Sequence, residues 1–121
     1  EALVLISASE RGPVPISEDE GGYEDIDIAF VKAEKLTIPK NAVSAMIVVE
    51  TDANAKNQRA VRFKENGTDP TPDSGIGLGD NDIYNIAGQH NLKQFRCIAT
   101  EDGLTHILRV QYYKSAQTLN E

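Results

Sequence analysis

The run Ala60-Val61-Arg62-Phe63-Lys64-Glu65-Asn66-Gly67-Thr68-Asp69-Pro70-Thr71-Pro72-Asp73-Ser74-Gly75-Ile76-Gly77-Leu78-Gly79 decides how the rest of the chain is read. Its start alternates, with Val61 and Phe63 set against Arg62 and Lys64, which is the period-two signature of a strand with one buried face. Asn66-Gly67 then supplies a turn. The residues up to Gly79 form a long loop in which Pro70 and Pro72 restrict the backbone and the glycines allow sharp changes of direction. A half-buried strand feeding a rigidified loop is how an all-β module displays a contact surface.

Outward from this stretch the same pattern recurs. Apolar residues return at period two or in short runs rich in Val, Ile, Tyr and Phe, which predicts strands at about 3–8, 27–33, 36–38, 44–50, 60–64, 83–86, 93–100 and 105–113. Turn chemistry separates them, at Gly12-Pro13, Gly21-Gly22, Pro39-Lys40-Asn41, 52–57, Asn66-Gly67, Ala87-Gly88 and Asp102-Gly103. Asp102-Gly103 lies between two strong strand patterns and is expected to close a tight hairpin. No stretch has the spacing of a long amphipathic helix; 53–60 comes nearest, and its asparagines favour a loop or a single turn. Seven to eight short strands predict an all-β chain, an antiparallel β-sandwich or jelly roll, forming one domain over 1–121. The acidic segment 17–27 is expected to be a solvated excursion or an arm ordered by a neighbour. The polar tail 115–121 is expected to be loosely held or to lie on a partner.

With 121 residues the chain can bury one core but not two lobes with a cleft between them. Its 12 Lys and Arg face 19 Asp and Glu, a net charge of −7. Such a surface repels a phosphate backbone, so no nucleic-acid partner is expected. No apolar run approaches the roughly 18–20 residues that cross a bilayer, so no membrane role is expected either. The apolar start Ala2-Leu3-Val4-Leu5-Ile6 lacks a preceding basic region and reads as a first strand, not a signal segment. Cys97 is the single cysteine, which excludes an intrachain disulfide or a cysteine-built zinc site. Its setting, Phe95-Arg96-Cys97-Ile98-Ala99, is that of a buried strand thiol.

The segment Gly75-Ile76-Gly77-Leu78-Gly79-Asp80-Asn81-Asp82-Ile83 invites two motif readings. A nucleotide-binding glycine loop must open a helix whose amides meet the phosphate, and the residues after Asp82 are strand-like. A calcium nonapeptide fits locally, but such sites are built by stacking several repeats and this chain has one. The preferred reading is that glycines turn the chain while the aspartates accept loop amide hydrogens, with no metal and no cofactor. A glycosidase pair among Asp69, Asp73, Asp80 and Asp82 would need an aromatic cleft, and the chain has no Trp. Ser74, His90 and His106 do not form a triad recognisable from sequence. His106 alternates with Leu104, Leu108 and Val110 and is expected to be a hydrogen-bonded core or interface residue. Of Tyr112 and Tyr113, one ring should face the core and the other should be free for a subunit contact. Asn66-Gly67-Thr68 matches a glycosylation sequon and is read as a turn that happens to fit it. No catalytic residues are expected, and the chain is read as a protein other than an enzyme.

Several short patterns, taken together, resemble small β-sandwich virion proteins of tailed bacteriophages. They are Ala33-Glu34-Lys35-Leu36-Thr37-Ile38-Pro39-Lys40-Asn41-Ala42, Ala45-Met46-Ile47-Val48-Val49-Glu50, Val61-Arg62-Phe63-Lys64-Glu65-Asn66-Gly67-Thr68-Asp69-Pro70-Thr71, Phe95-Arg96-Cys97-Ile98-Ala99 and Val110-Gln111-Tyr112-Tyr113-Lys114. Asn66 stands where that pattern usually has Asp, which keeps the turn chemistry. The resemblance covers roughly 33–114 and does not extend to 2–26. It implies a structural protein of the virion, assembled in the host bacterial cytoplasm. The leading expectation is a head decoration or cement protein that binds the major capsid protein or neighbouring virion subunits and is itself a homo-oligomer. A tail or neck component is the other placement the resemblance allows, and a carbohydrate-binding or lectin-like adhesion module of the tail or fibre is the alternative function. The expected partner contacts are Arg62, Lys64, Asn66, Asp69, Pro70, Pro72, Arg96 and Tyr113. The arginines and Lys64 serve as basic points on an acidic module, and the prolines keep the docking loop low in entropy.

Overall fold

Strict alternation at the C-terminal end organises the molecule. The nine residues His106–Lys114 bury His106, Leu108, Val110 and Tyr112 and turn Ile107, Arg109, Gln111 and Tyr113 to the other face. The computed structural model describes residues 13–116. In chain order the strands are β1 (Val14–Pro15), β2 (Tyr23–Ile28), β3 (Ala42–Glu50), β4 (Val61–Lys64), β5 (Ile76–Leu78), β6 (Ile83–Ala87), β7 (Arg96–Ala99) and β8 (His106–Lys114). Among the described residues a 3-10 turn, Glu18–Glu20, follows β1, and a short helix, α1 (Gln89–Gln94), precedes β7.

Among the described residues the strands form two antiparallel sheets in a sandwich-like, all-β fold with no closed barrel. In the larger sheet β8 is central, pairing with β3 on one side and with β2 and β1 in succession on the other, while β3 also pairs with β6. The smaller sheet has the order β5-β4-β7. The inward residues of the larger sheet include Ile28, Ala45, Ile47, Val49, Ile86, Leu108, Val110 and Tyr112. They meet Val61, Phe63, Leu78, Cys97 and Ala99 of the smaller one, with Phe95 and Leu92 at the side. Phe63 is the ring that joins the two layers, 4.6 Å from Tyr84 on β6 and 5.4 Å from Phe95 between ring centroids. Among the described residues no helix is long and apolar enough to cross a membrane.

Five expectations from the sequence are corrected. The strand expected at 27–33 keeps only Asp27 and Ile28, the end of β2, and residues 29–33 lie outside the ladders, with Val31 exposed. The acidic segment 17–27 is not a solvated excursion throughout, because from Tyr23 onward it is a six-residue strand paired with β8. Its alternation puts Ile26 and Ile28 inward. Its carboxylates find partners on the sheet: Asp25 lies 3.1 Å from the Arg109 guanidinium, and Glu24 accepts from Tyr112 Oη and from Thr37 N–H at 2.8 Å. The expected strand at 36–38 is an extended segment outside the ladders. A single bridge from Glu34 to Cys97 ties it to β7, and Leu36 packs into the core. Residues 89–94 are helical where strand was expected from 93, since a six-residue helix burying only Leu92 shows no readable period. Asp102-Gly103 does turn the chain, with Gly103 at φ +83°, but the strands on either side belong to different sheets and no hairpin forms. Turn chemistry dictates a reversal, not which sheet receives the next strand. The strand expected at 3–8, and 117–121 of the expected loose tail, lie outside the described residues.

Candidate functional site

The loop joining β4 to β5 is held from below by its own strand. Arg62 Nε donates to the Pro72 carbonyl at 3.1 Å and Nη1 to the Gly75 carbonyl at 2.8 Å, so one guanidinium fixes both ends of the loop's return. Between those points Thr71 and Ser74 exchange backbone bonds of 3.0 and 3.1 Å, and Asp73 N–H donates to Thr71 Oγ1 at 3.3 Å. This is a tight turn with Pro72 at its first central position. Asn66 Oδ1 accepts from Thr68 N–H at 3.1 Å and from Thr68 Oγ1 at 2.6 Å. Gly67, at φ +83°, donates its N–H to the Gln94 carbonyl at 3.1 Å, docking the loop on the end of α1. Gly75, at φ +139°, lies against β4, where an added Cβ would sit 3.1 Å from both Arg62 Cβ and the Phe63 carbonyl. At the base Tyr84 Oη donates to Glu65; burial first, and then that carboxylate, push the Tyr84 hydroxyl up to about 12.

Seven of the eight residues expected to contact a partner gather in and beneath this loop, and the structure changes what they present. Arg62 is half-buried, its guanidinium bonded to loop carbonyls. Arg96 keeps only 15% of its side chain exposed. Its Nη1 donates to the Lys93 and Phe95 carbonyls at 2.9 and 2.8 Å, and Nε lies 3.9 Å from Asp69 Oδ1. Neither arginine is the free basic point that the alternation suggested: a guanidinium with several donors satisfies nearby carbonyls before it reaches solvent. Lys64 stands across from Arg96 on the same face, half-buried, and makes no ion pair among the described residues. Pro70 is buried under the loop, Pro72 is half-buried, and Asp69 is 73% exposed on its side chain. The outward surface is therefore Asn66, Thr68, Asp69, Thr71, Asp73 and Ser74, a set of hydroxyls, an amide and carboxylates. Thr68, Thr71, Asp73 and Ser74 were not among the partner contacts expected from sequence; the Thr-Pro-Asp-Ser turn pattern is the signal that could have found the last three.

Tyr113 lies elsewhere. It sits on β8 beside Ser44 on the outer face of the larger sheet, where it lines a mainly apolar cleft of ≈ 360 Å³ together with Pro13, Asn85 and Ala87.

The aspartates after β5 act as the sequence suggested, accepting loop amides. Asp80 Oδ1 takes the Thr51 N–H at 3.0 Å and Asp82 Oδ2 the Gly79 N–H at 2.6 Å. They border a polar cleft of ≈ 390 Å³ lined also by Thr51, Lys56, Asn57 and Gln58, with no aromatic ring in its wall. Among the described residues no group of three or more His, Cys, Asp or Glu is arranged to hold a metal ion. His106, at the start of β8, has no solvent exposure; its Nδ1 accepts from Asp52 N–H at 3.0 Å while Nε2 has no hydrogen-bond partner among the described residues. Burial lowers its pKa from 6.5 and outweighs the opposing pull of Asp52 and Glu101.

The fold and this loop define the chain as a β-sandwich-like module with a cross-braced polar display loop. No protein-family model, curated protein or solved structure matches it.

Proposed function

We propose that this is a non-enzymatic structural protein of a tailed-bacteriophage particle, a decoration protein that binds the major capsid protein and stabilises the head. The observation that carries the reading is the pre-organised β4–β5 loop: two arginine bonds, a reciprocal Thr71–Ser74 turn and two prolines fix it before any partner arrives. A surface ordered in advance loses little entropy on docking, which is what a small module needs to bind a lattice without a deep pocket. The sequence resemblance supports the assignment to a particle, and the loop geometry supports the chemistry proposed for the contact. Because both arginines are bonded to carbonyls within the module, the exposed loop carries carboxylates and neutral hydroxyl and amide groups but no cation, so the lattice patch it meets presents Lys or Arg.

Particles lacking the protein, mixed with the purified chain, report bound copies and the temperature of shell rupture. Binding that raises the rupture temperature is expected. Reversing Asp69 and Asp73 to Lys should weaken binding by on the order of tenfold or more, since like charges then face each other. Absence of binding, or binding indifferent to the reversal, rejects this contact. A glycan-binding reading rests on the polar cleft beside Asp80 and Asp82. A glycan array with isolated protein separates the two, because a lectin binds without a shell.

A further inference from the structure

The two edges of the larger sheet are built differently. The β2 edge carries Glu24, Asp25 and Asp27, and β1 on the same side contains Pro15 and follows Pro13; charge and proline are the usual means of preventing edge-to-edge pairing. The β6 edge, Ile83-Tyr84-Asn85-Ile86-Ala87, contains no charged residue in a chain of net charge −7.

The register shows which backbone groups this edge offers. Val49 N–H donates to the Asp82 carbonyl and Gly88 N–H to the Val43 carbonyl, at 3.2 and 2.8 Å. With Ile47 opposite Tyr84 and Ala45 opposite Ile86, alternation turns the backbone groups of Tyr84 and Ile86 toward β3 and those of Ile83, Asn85 and Ala87 away from it. Among the described residues the only bond on that side is Asn91 Nδ2 to the Ala87 carbonyl, at 2.7 Å. Ile83 is also 62% exposed.

We propose that β6 pairs antiparallel with β6 of a second copy about a two-fold axis at Asn85, joining the two larger sheets into one. The three outward-facing positions are symmetric about their middle member, so Asn85 meets the second copy's Asn85 and Ile83 meets its Ala87. Each pair then exchanges both N–H···O bonds, because the second lone pair of the Ala87 carbonyl remains available. A second copy fits this edge for two reasons. The pairing is self-complementary, as a two-fold interface requires, and strongly negative chains approach one another at least cost along their uncharged edge. The proposal deepens the particle reading by naming how copies join, and it is tested on isolated protein, so shell binding stands or falls separately.

Sedimentation of the full chain over a concentration series should show a dimer. Asn85→Pro removes an N–H that points away from β3, so the intramolecular ladder survives; a folded monomer by circular dichroism is the expected result. Asn85→Cys should yield a disulfide-linked dimer under mild oxidation, while the wild type, whose Cys97 is buried, should not. A monomeric full chain overturns the proposal, as does a dimer that survives Asn85→Pro or fails to trap through Cys at 85. A monomer whose Asn85 amide is nonetheless protected from hydrogen exchange assigns the edge to another segment of the same chain and overturns it equally.

Discussion

His106 and Arg62 are both polar side chains taken into the fold, and they respond to opposite tests. His106 is buried as a neutral imidazole: Nδ1 accepts the Asp52 amide, which a proton on that nitrogen would abolish. Its folded pKa lies below the unfolded value of 6.5, so the unfolded chain takes up the proton first. Stability from this residue is present above 6.5 and is lost as pH falls from there through the folded pKa. Asp25 and Glu101 also have lowered pKa values, the first from the Tyr23 hydroxyl and the second from the Asn57 amide, but they lose their contribution only in the carboxylate range. The urea midpoint should therefore begin to fall just below pH 6.5, and His106→Leu should flatten that part of the profile alone. An unchanged profile in the variant would place the sensitivity on another group. Arg62 makes its bonds at every accessible pH. Replacing it with Met should cost about 1–3 kcal/mol, the usual worth of hydrogen bonds from a charged donor. Arg62→Lys should recover less than half, because an ammonium cannot hold both carbonyls in the guanidinium's fork. Urea unfolding gives the cost, and faster exchange of the Thr71 and Ser74 amides, which are bonded to each other's carbonyls, should show the loop coming free.

At the scale of elements, strands were legible where alternation coincided with burial on one face, as in Val61–Lys64 and His106–Lys114. The misses have a common physical origin. In Tyr23–Ile28 the carboxylates suggested solvation, because the neutralising partner, Arg109, lies far along the chain and is reached only through the β2–β8 register. Ile76–Leu78 was hidden among glycines, and α1 was too short to show a period. The candidate site was legible as a location, since Asn66, Asp69, Pro70 and Pro72 do fall in one loop. Its chemistry was not, because alternation places Arg62 on the outer face without saying that the loop folds back to cover it. The link between β2, β8 and β3 can be weighed directly. Arg109 reaches Asp25 at 3.1 Å and Glu50 at 2.8 Å, but all three side chains are a third or more exposed. Arg109→Met should therefore leave the urea midpoint almost unchanged, and any difference should shrink as salt is raised. The inward residues of the same strands, not this ion pair, hold the larger sheet together.

Across the whole molecule the question is whether two sheets unfold as one body. The chain passes between them at β3–β4, β5–β6, β6–β7 and β7–β8, so neither sheet is a continuous piece of sequence. Phe63 is the side chain on which the layers meet, buried between Tyr84 and Phe95. Truncating it to Ala leaves a cavity at that junction and should cost about 3–5 kcal/mol; Phe63→Leu, which keeps most of the volume, should cost about 1 kcal/mol. Each sheet carries its own reporter. Cys97, the only thiol, lies buried in the smaller sheet with its pKa pushed up to about 12, chiefly by burial, so reagents reach it only when the chain opens. The four tyrosines, Tyr23, Tyr84, Tyr112 and Tyr113, all lie on strands of the larger sheet, so tyrosine fluorescence reports that sheet. If opening is global, Cys97 labelling should accelerate in Phe63→Ala by about two to four orders of magnitude, the same free energy as the shift in the fluorescence midpoint. Labelling that outruns the fluorescence change would mean that the smaller sheet detaches while the larger one stays folded. The interleaved chain path argues against that outcome, since freeing β4 and β7 pulls on β3, β6 and β8 at every crossing.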